Sequence, residues 1–557
     1  MPFPRRLLLA AALAATLIAH DALAERKTVC TITVNSADEK DTFRRYLPSD
    51  QYDFVELVER GRPDWLASAC RAGVRCDVLL ISGHFDGGDE FYSDRVDARE
   101  SLPVDELTRA SCSDSCPALF SQLKEVYLFG CNTLNADKLT TASAEVTRAL
   151  LRSGHSAADA ERVAALLDAQ HADSNRDKMR LIFRNVPVIY GFSSKAPLGA
   201  KAGPMLDRYL RNEGTASVGS GRADEKLLQL FAPSSMTVAS GATDADPKAG
   251  YGRDMCRFVD DRLEATQRAQ FVHALLGREM AEVRAYLEPL EKYQTSLTDG
   301  ERQTPAVAHV LQAIAADAAA KARWLAFARD ADEPHVRARM IALAARFGWL
   351  SGEERNAELV GLLRDMYGRA AVSTADVALA CALTREPALD PALREFRRAA
   401  TGASDAGHAA LLACAGSSSA RATVVDALTS GRAGDVELAQ VYLKERPITD
   451  NLELRDVALR IARMGDADAQ VRALDTLALH RVSDPQSLEL LTHLFPVART
   501  VSVQRAIAGV LIRSDYESIA RPDVVRSLME KRLKSPDGKD LIDVLIHRMQ
   551  ASLARAA

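Results

Sequence analysis

The sequence lacks a block of basic residues and, beyond its first two dozen positions, any long apolar run. Its 71 basic and 76 acidic residues are mixed along the chain and give a formal net charge of -5. Without a basic patch, or basic residues interleaved with aromatic ones, nothing favours nucleic acid as a partner. Without a second apolar stretch of about 20 residues, we predict no membrane span in the mature chain.

Two catalytic signatures are also missing. The chain has no Gly-x-Ser-x-Gly elbow, and Ser193, Ser194 and Ser220 fall in predicted loops without a basic partner, so a serine hydrolase is not supported. Gly250 and Gly252 are too isolated to form a phosphate-binding loop. We therefore predict no cofactor.

The first 24 residues have the layout of a secretory signal peptide. Arg5 and Arg6 precede an apolar run over 7–18 that is too short to span a bilayer, and Ala-Leu-Ala before position 25 fits the small-x-small cleavage rule. An uncleaved membrane anchor is the alternative. Removal of residues 1–24 predicts a periplasmic or secreted protein.

Nine cysteines in an oxidising compartment leave at least one thiol unpaired or intermolecular. They are Cys30, Cys70, Cys76, Cys112, Cys116, Cys131, Cys256, Cys381 and Cys414. We predict a local disulfide between Cys112 and Cys116 rather than half a zinc site, because no second cysteine or histidine pair lies nearby. Cys381 and Cys414 are 33 positions apart and are predicted to face each other on neighbouring helices.

Residues 25–231 alternate between short β-branched runs and helical patterns. The strand candidates are residues 29–34, 54–58, 78–81, 126–129 and 188–190. The last three are nearly continuous apolar runs, as expected of strands buried on both faces of a parallel sheet. Helical patterns between the strands, for example at 65–72 and 142–151, predict an α/β sandwich built on a mostly parallel sheet.

Residues 232–252 are rich in Pro, Ser, Gly, Thr and Asp and lack apolar periodicity, which predicts an interdomain linker. From 253 to 557 strand-like runs disappear, and the sequence predicts an all-helical domain. Segments 332–338, 466–474 and 501–508 are alike: an acidic or polar turn precedes a helix of small and apolar residues.

These three segments resemble the HEAT repeat, in which each helical pair buries its apolar stripe only against the next pair. The resemblance implies a stack of helices that offers a docking surface to a protein partner. We expect the side chains of Val336, Val471 and Val503 to lie inside the stack. An irregular helical bundle is the alternative.

Two predicted strands of the front domain end in a small residue followed by a reactive side chain. Residues 77–84 read DVLLISGH and end at His84, and residues 125–131 read EVYLFGC and end at Cys131. The carboxyl ends of parallel strands line one edge of a sheet, so both side chains should emerge there. A histidine assists thiolate formation and later protonates the leaving amine, which is what nucleophilic acyl transfer requires.

Elimination supports this pair. The other histidines of the mature front domain, His155 and His171, lie in polar helical stretches, and Cys131 is the only cysteine at the carboxyl end of a buried apolar strand. Taken singly, each residue has a plainer interpretation, because a cysteine after an apolar strand is usually a small buried hydrophobe.

A strand ending in Ser-Gly-His, followed 47 positions later by a strand ending in cysteine, resembles the caspase-like cysteine peptidases. That group includes caspases, separases, gingipains and the bacterial CHAT proteins. The resemblance covers about residues 28–212 and lies in the order of the elements rather than in the identity of the residues. It implies catalysis by His84 and Cys131 on a protein or peptide substrate. Backbone amides near Gly83, Phe85 and Cys131 would hold the oxyanion.

Segment 186–193 resembles the strand and loop that flank the substrate pocket in this group, which implicates Tyr190, Phe192 and Ser193. Family members usually have glycine after the histidine, where this chain has Phe85. A bulky side chain at this position is expected to restrict the access of substrate to His84 and Cys131. The alternative function is therefore a catalytically inactive binding protein that docks its partner on the helical repeats.

Asp86 and Asp89 form an acidic loop beside His84. They either shape the substrate site and favour the charged imidazole, or are simply solvated. A metal held by these three residues is disfavoured because no second histidine joins them, and we predict no metal site. The run GGDEF at 87–91 is the signature of diguanylate cyclases, but the metal-binding strand motif of that family is missing and the chain is exported away from GTP.

Overall fold

The structure, a computed structural model, describes residues 26–57, 66–85, 88–94, 100–112, 116–138, 143–171, 174–212, 214–399, 405–536 and 540–556. The chain divides into two units, Met1–Ala320 and Lys321–Ala557. The predicted signal peptide lies outside the described residues.

The described residues of the first unit form eight strands. These are β1 (Lys27–Thr33), β2 (Tyr52–Glu56), β3 (Val78–Ser82), β4 (Glu90–Tyr92), β5 (Ser101–Pro103), β6 (Glu125–Phe129), β7 (Val188–Phe192) and β8 (Met236–Ala239). Six make one sheet in the order β2-β1-β3-β6-β7-β8, and β4 and β5 form a separate hairpin. All neighbours in the larger sheet are parallel except β7 and β8. The five strands predicted from the sequence are present, and the mostly parallel α/β sheet is confirmed.

The central strands β3 and β6 are buried along their whole length. Leu79 and Val126 pack into the core on one face of the sheet, and Leu80 and Tyr127 pack into the core on the other. Burial of one such side chain contributes roughly 1.5–3 kcal/mol. The ends of these two strands are therefore held on a rigid support.

Helices cover the sheet and continue beyond it. In the first unit they are α1 (Asp38–Tyr46), α2 (Ala67–Arg71), α3 (Val104–Cys112), α4 (Ser143–Arg152), α5 (Ala157–Gln170), α6 (Asn175–Ile182), α7 (Gly199–Arg211), α8 (Glu225–Phe231), α9 (Ala249–Val259), α10 (Ala265–Leu276), α11 (Met280–Val283), α12 (Leu287–Ser296), α13 (Asp299–Gln303) and α14 (Pro305–Ala316). The helical patterns at 65–72 and 142–151 correspond to α2 and α4.

Segment 232–252, predicted as a linker, is instead part of the first unit. It supplies β8, which pairs antiparallel with β7, and Asp246, whose carboxylate lies 2.6 Å from the Arg180 guanidinium. An edge strand has one unpaired side and needs only a short β-prone run, so β8 leaves no long apolar pattern in the sequence. Helices α9 to α14 follow it in the same unit, and the division falls after Ala320.

The second unit is helical. Its helices are α15 (Ala318–Arg329, which begins in the first unit), α16 (Pro334–Arg346), α17 (Gly352–Tyr367), α18 (Thr374–Leu383), α19 (Asp390–Ala399), α20 (Ala406–Cys414), α21 (Ser418–Ala427), α22 (Ala433–Glu445), α23 (Asn451–Ala462), α24 (Ala467–Leu477), α25 (Pro485–Leu494), α26 (Val501–Arg513), α27 (Pro522–Glu530) and α28 (Leu541–Ala556). No strand occurs among the described residues from 253 to 557, as predicted. Within the described part of the chain, no helix combines the length and apolar character needed to cross a membrane.

Of the three valines expected inside the stack, Val336 and Val503 are buried but Val471 is only half-buried. The helix caps explain the difference. Asp466 caps α24 and Thr500 caps α26. Val503 stands three residues after its cap, whereas Val471 stands five after its own, and the 3.6-residue helical period turns those two positions to different faces.

Four disulfides are present: Cys30–Cys76, Cys70–Cys116, Cys112–Cys256 and Cys381–Cys414. The predicted Cys381–Cys414 bridge is confirmed, and the predicted Cys112–Cys116 bridge is wrong. Cys112 is the last residue of α3 and bonds to α9, whereas Cys116 is buried in the sheet core. Four disulfides are typical of proteins from oxidising compartments.

Candidate active site

His84 and Cys131 follow neighbouring strands. Ser82 of β3 is paired with Phe129 of β6, and the Gly83 amide donates to the Phe129 carbonyl at 3.1 Å. The two strands thus end at the same level, two residues before each reactive side chain. His84 and Cys131 line one small cleft of about 30 Å³ at this edge of the sheet.

A hairpin strand holds the histidine. His84 and Tyr92 exchange two backbone hydrogen bonds, each 2.9 Å, and their rings stack with centroids 5.4 Å apart. The Nε2 atom of His84 lies 3.5 Å from an Asp94 carboxylate oxygen. This nitrogen is shielded from solvent and makes no hydrogen bond within the described residues, so the Asp94 contact is electrostatic.

Cys131 is the one cysteine outside a disulfide, and it is partly exposed. The backbone amide of Ala196 donates to its Sγ at 3.3 Å. The next residue, Asn132, has φ +60, a conformation that asparagine tolerates better than most residues. Its amide donates to the Ser194 carbonyl at 2.7 Å, so a sharp turn directly after Cys131 is fixed by the loop that follows β7.

Phe85 does not obstruct the cleft. Its side chain is fully buried, packs against Phe91 with ring centroids 4.6 Å apart, and is not among the residues that line the cleft. Gly130 makes room for it, because a Cβ there would lie 2.8 Å from the Phe85 Cβ. The concern that a bulky residue after His84 blocks access therefore does not hold.

The amides available for an oxyanion differ from the expectation. The Gly83 amide is already bonded to Phe129, and the His84 amide to Tyr92. Gly83 is therefore removed from the predicted oxyanion donors. The amides of Phe85 and Cys131 have no acceptor within the described residues, and a pair of free backbone amides is the usual means of holding an oxyanion.

The side chains expected to form the substrate pocket lie elsewhere. Tyr190 and Phe192 are buried in the core on one face of the sheet, because alternate residues of a strand point inward. Ser193 is exposed and bonds to the Ser235 carbonyl. Asp89 points away from the cleft, with its carboxylate 3.7 Å from the Lys178 ammonium, and Asp86 lies outside the described residues.

Glu39 is a cleft residue that the sequence did not reveal. It stands in the first turn of α1 and is only 2 % exposed, and its carboxylate accepts a hydrogen bond of 2.8 Å from the Ser82 hydroxyl. Burial raises the pKa of Glu39 from 4.5 to about 6. An acidic residue in the first turn of a helix is commonplace, so only the fold distinguishes this one.

The remaining histidines of this region have ordinary surroundings. His155 is exposed after α4, and His171 is buried with Nδ1 2.6 Å from the Leu167 carbonyl oxygen. Across the described residues, no three His, Cys, Asp or Glu side chains gather closely enough to hold a metal ion. Comparisons of the chain with protein-family models, curated proteins and solved structures give no match.

Proposed function

We propose that the protein is an exported cysteine peptidase of the caspase-like type, acting on a protein or peptide substrate through His84 and Cys131. The observation that carries this proposal is the meeting of two sequence-distant strand ends in one cleft, one bearing an imidazole and the other an unbridged thiol. The parallel order of β1, β3, β6 and β7 is compatible with that type of fold.

The chemistry follows from the geometry. The His84 imidazole accepts the proton of the Cys131 thiol, and the thiolate adds to the substrate carbonyl carbon. The amides of Phe85 and Cys131 stabilise the negative oxygen. The C–N bond then breaks, and the imidazolium gives its proton to the departing amine. Water, deprotonated by His84, adds to the thioester carbonyl; the C–S bond breaks, releasing the acid and regenerating the thiol.

Three neighbours support this assignment by holding the reactive groups. The Tyr92 ring and the Asp94 carboxylate fix and polarise the imidazole on its Nε2 side. The Ala196 amide donates to the Cys131 sulfur, and a hydrogen bond to a thiolate favours the charged, nucleophilic form.

Glu39 supports a preference for cationic substrate side chains. Its carboxylate is buried at the cleft with a hydroxyl donor but no cation among the interactions that shift its pKa. A buried, uncompensated charge is costly, and an entering guanidinium or ammonium group would compensate it. Peptides with arginine or lysine at the cleaved bond should be turned over faster than matched peptides with aspartate.

The helical unit supports the repeat interpretation and a role in docking a partner. Gln470 and Gln504 each stand four residues after a helix cap, and each donates to a carbonyl nine residues earlier. Ion pairs recur between residues about thirty positions apart, as in Arg355–Glu386, Arg421–Glu453, Arg455–Asp484 and Arg521–Glu489. Regular spacing of this kind is what stacked helical pairs produce.

A thiol-directed covalent probe tests the proposal. Purified mature protein should be labelled on Cys131, and labelling should disappear in Cys131→Ala and slow strongly in His84→Ala. A peptide library should then show hydrolysis that depends on both residues. Rapid labelling of Cys131 without any hydrolysis would favour the alternative, an inactive binding protein.

A further inference from the structure

The first unit contains a second, larger cavity of about 270 Å³. It lies among helices α3, α6, α9 and α12 and the residues Gly88 and Asp89, and it shares no lining residue with the His84–Cys131 cleft. An apolar cavity of about 150 Å³ is enough to bind benzene. The space here therefore suits a molecule of about two aromatic rings.

The cavity wall is mostly apolar. Its apolar side chains include Val104, Ile182, Met255, Phe258 and Val259. Two hydroxyls at the wall are already used within the protein: Thr108 donates to the Val104 carbonyl and Ser111 to the Ile182 carbonyl. The wall thus offers contact surface and few free hydrogen-bond donors.

The charged residues of the wall are held in ion pairs. Lys292 lies 2.8 Å from the carboxylates of both Asp105 and Glu288. Lys178 lies 3.7 Å from the carboxylate of Asp89. A charged ligand would have to break these pairs, whereas an uncharged one would leave them in place. With two ammonium groups and three carboxylates, the wall therefore selects against phosphates and carboxylates.

One helix connects this cavity with the reactive thiol. Lys178 and Ile182 of α6 line the cavity, and Asn175, the first residue of the same helix, donates to the Asn132 carbonyl at 3.1 Å. Gly88, at the cavity, has φ +83 and passes so close to Asn175 that a Cβ would collide with its side-chain oxygen. A change in the position of α6 would thus move Asn132, the residue next to Cys131, through this hydrogen bond.

We propose that the cavity binds a small uncharged apolar molecule and that its occupancy alters the reactivity of Cys131 through α6. This coupling would regulate the protein only if Cys131 has the role proposed above, so its biological meaning rests on the proposed function. Both binding and thiol reactivity are measurable without peptidase activity, so failure of this proposal and failure of the proposed function can be told apart.

Binding is tested with the neutral fluorescent dye N-phenyl-1-naphthylamine and the full mature protein. We expect saturable binding at one site. Val259→Trp, which fills the cavity, and Met255→Glu, which places a charge in it, should each weaken binding by about tenfold or more. The matched controls Val497→Trp and Met529→Glu alter side chains that are 68 % and 49 % exposed in the second unit and should leave binding unchanged.

The two cavity variants act by different means, so failure of one to fold leaves the other informative. Absence of saturable dye binding, or wild-type affinity in the folded cavity variants, would overturn the binding site. For the coupling, the rate of Cys131 alkylation by iodoacetamide should change at least about twofold at saturating dye in the wild type. It should remain constant in Val259→Trp, and an unchanged wild-type rate would overturn the coupling.

Discussion

The two units of this protein use their polar residues in different ways. In the first, parallel strands bring side chains 47 positions apart in the sequence to the edge of one sheet, where they are free to react. In the second, the recurring polar contacts join residues about thirty positions apart, and they link one helical pair to the next. The parallel sheet therefore brings distant residues together at one edge, whereas the helical unit pairs residues at a regular spacing.

The largest effects should come from the strand-end pair. Cys131→Ala should abolish labelling and turnover, and His84→Ala should lower the rate by about 10²–10⁴, the usual contribution of a general acid–base group. His155→Ala, at an exposed position of the same unit, is the matched control and should retain full activity. Full turnover in either strand-end variant would show that the proposed chemistry of the first unit does not depend on this pair.

Removing one disulfide from each unit should lower the free energy of unfolding by different amounts. Opening the Cys112–Cys256 bridge, which spans 144 positions, should cost about 5 kcal/mol on the loop-entropy estimate, and opening Cys381–Cys414, which spans 33, about 4 kcal/mol. Double Cys→Ser variants followed by denaturant unfolding test this. Because α9 is held by the first bridge, its loss should also weaken dye binding in the apolar cavity, whereas loss of the second should not.

Glu39→Gln should stabilise the first unit at high pH. The pKa of Glu39 in the folded protein, about 6, lies above its ordinary value of 4.5. The stability that depends on protonated Glu39 is therefore complete below pH 4.5 and is lost as pH rises through 6. The variant should gain on the order of 2 kcal/mol at pH 8 and little at pH 4.

Chemical unfolding at the two pH values measures this difference, with Glu225→Gln, an exposed first-turn glutamate of α8, as control. Equal stability of Glu39→Gln and the wild type at pH 8 would show that the buried carboxylate already has a compensating partner. The same variant should lose the preference for arginine and lysine peptides.

The smallest effect concerns Asp94, whose side chain is 70 % exposed and acts on His84 across 3.5 Å. Asp94→Asn should slow Cys131 alkylation by about threefold, because the Asp94 carboxylate no longer attracts the His84 ring. Asp50→Asn, an exposed change in the loop before β2, is the control. An unchanged alkylation rate would show that the Asp94 contact contributes nothing to the reactivity of Cys131.

The local sequence pattern was sufficient to predict the strands and to place His84 and Cys131 at the edge of the sheet. The apolar runs that became β3 and β6 are long enough, and bounded clearly enough, to be assigned from composition and length. A residue that directly follows such a run needs no further information to be placed at the sheet edge. His84 and Cys131 were found for that reason.

The pocket residues could not be found in the same way. Whether Tyr190 and Phe192 face the cleft or the core depends on which residues of β7 point to which face, and a short, wholly apolar strand carries no alternation to decide it. The Cys112–Cys116 assignment failed because connectivity depends on where helices pack, not on spacing. The prediction for Val471 was wrong because segments 466–474 and 501–508 are similar in sequence, yet Val471 and Val503 stand at different distances from their helix caps.

The sequence by itself determined the order of elements, the helical character of the second unit and the position of His84 and Cys131 after buried strands, because each follows from residues close in the chain. Only the tertiary structure decided that Glu39 and Ala196 belong to the cleft, that Asp94 lies beside His84, and that β8 completes the sheet. These residues come from separate loops and helix ends whose meeting depends on sheet order and packing. Such contacts leave no periodic trace in the sequence.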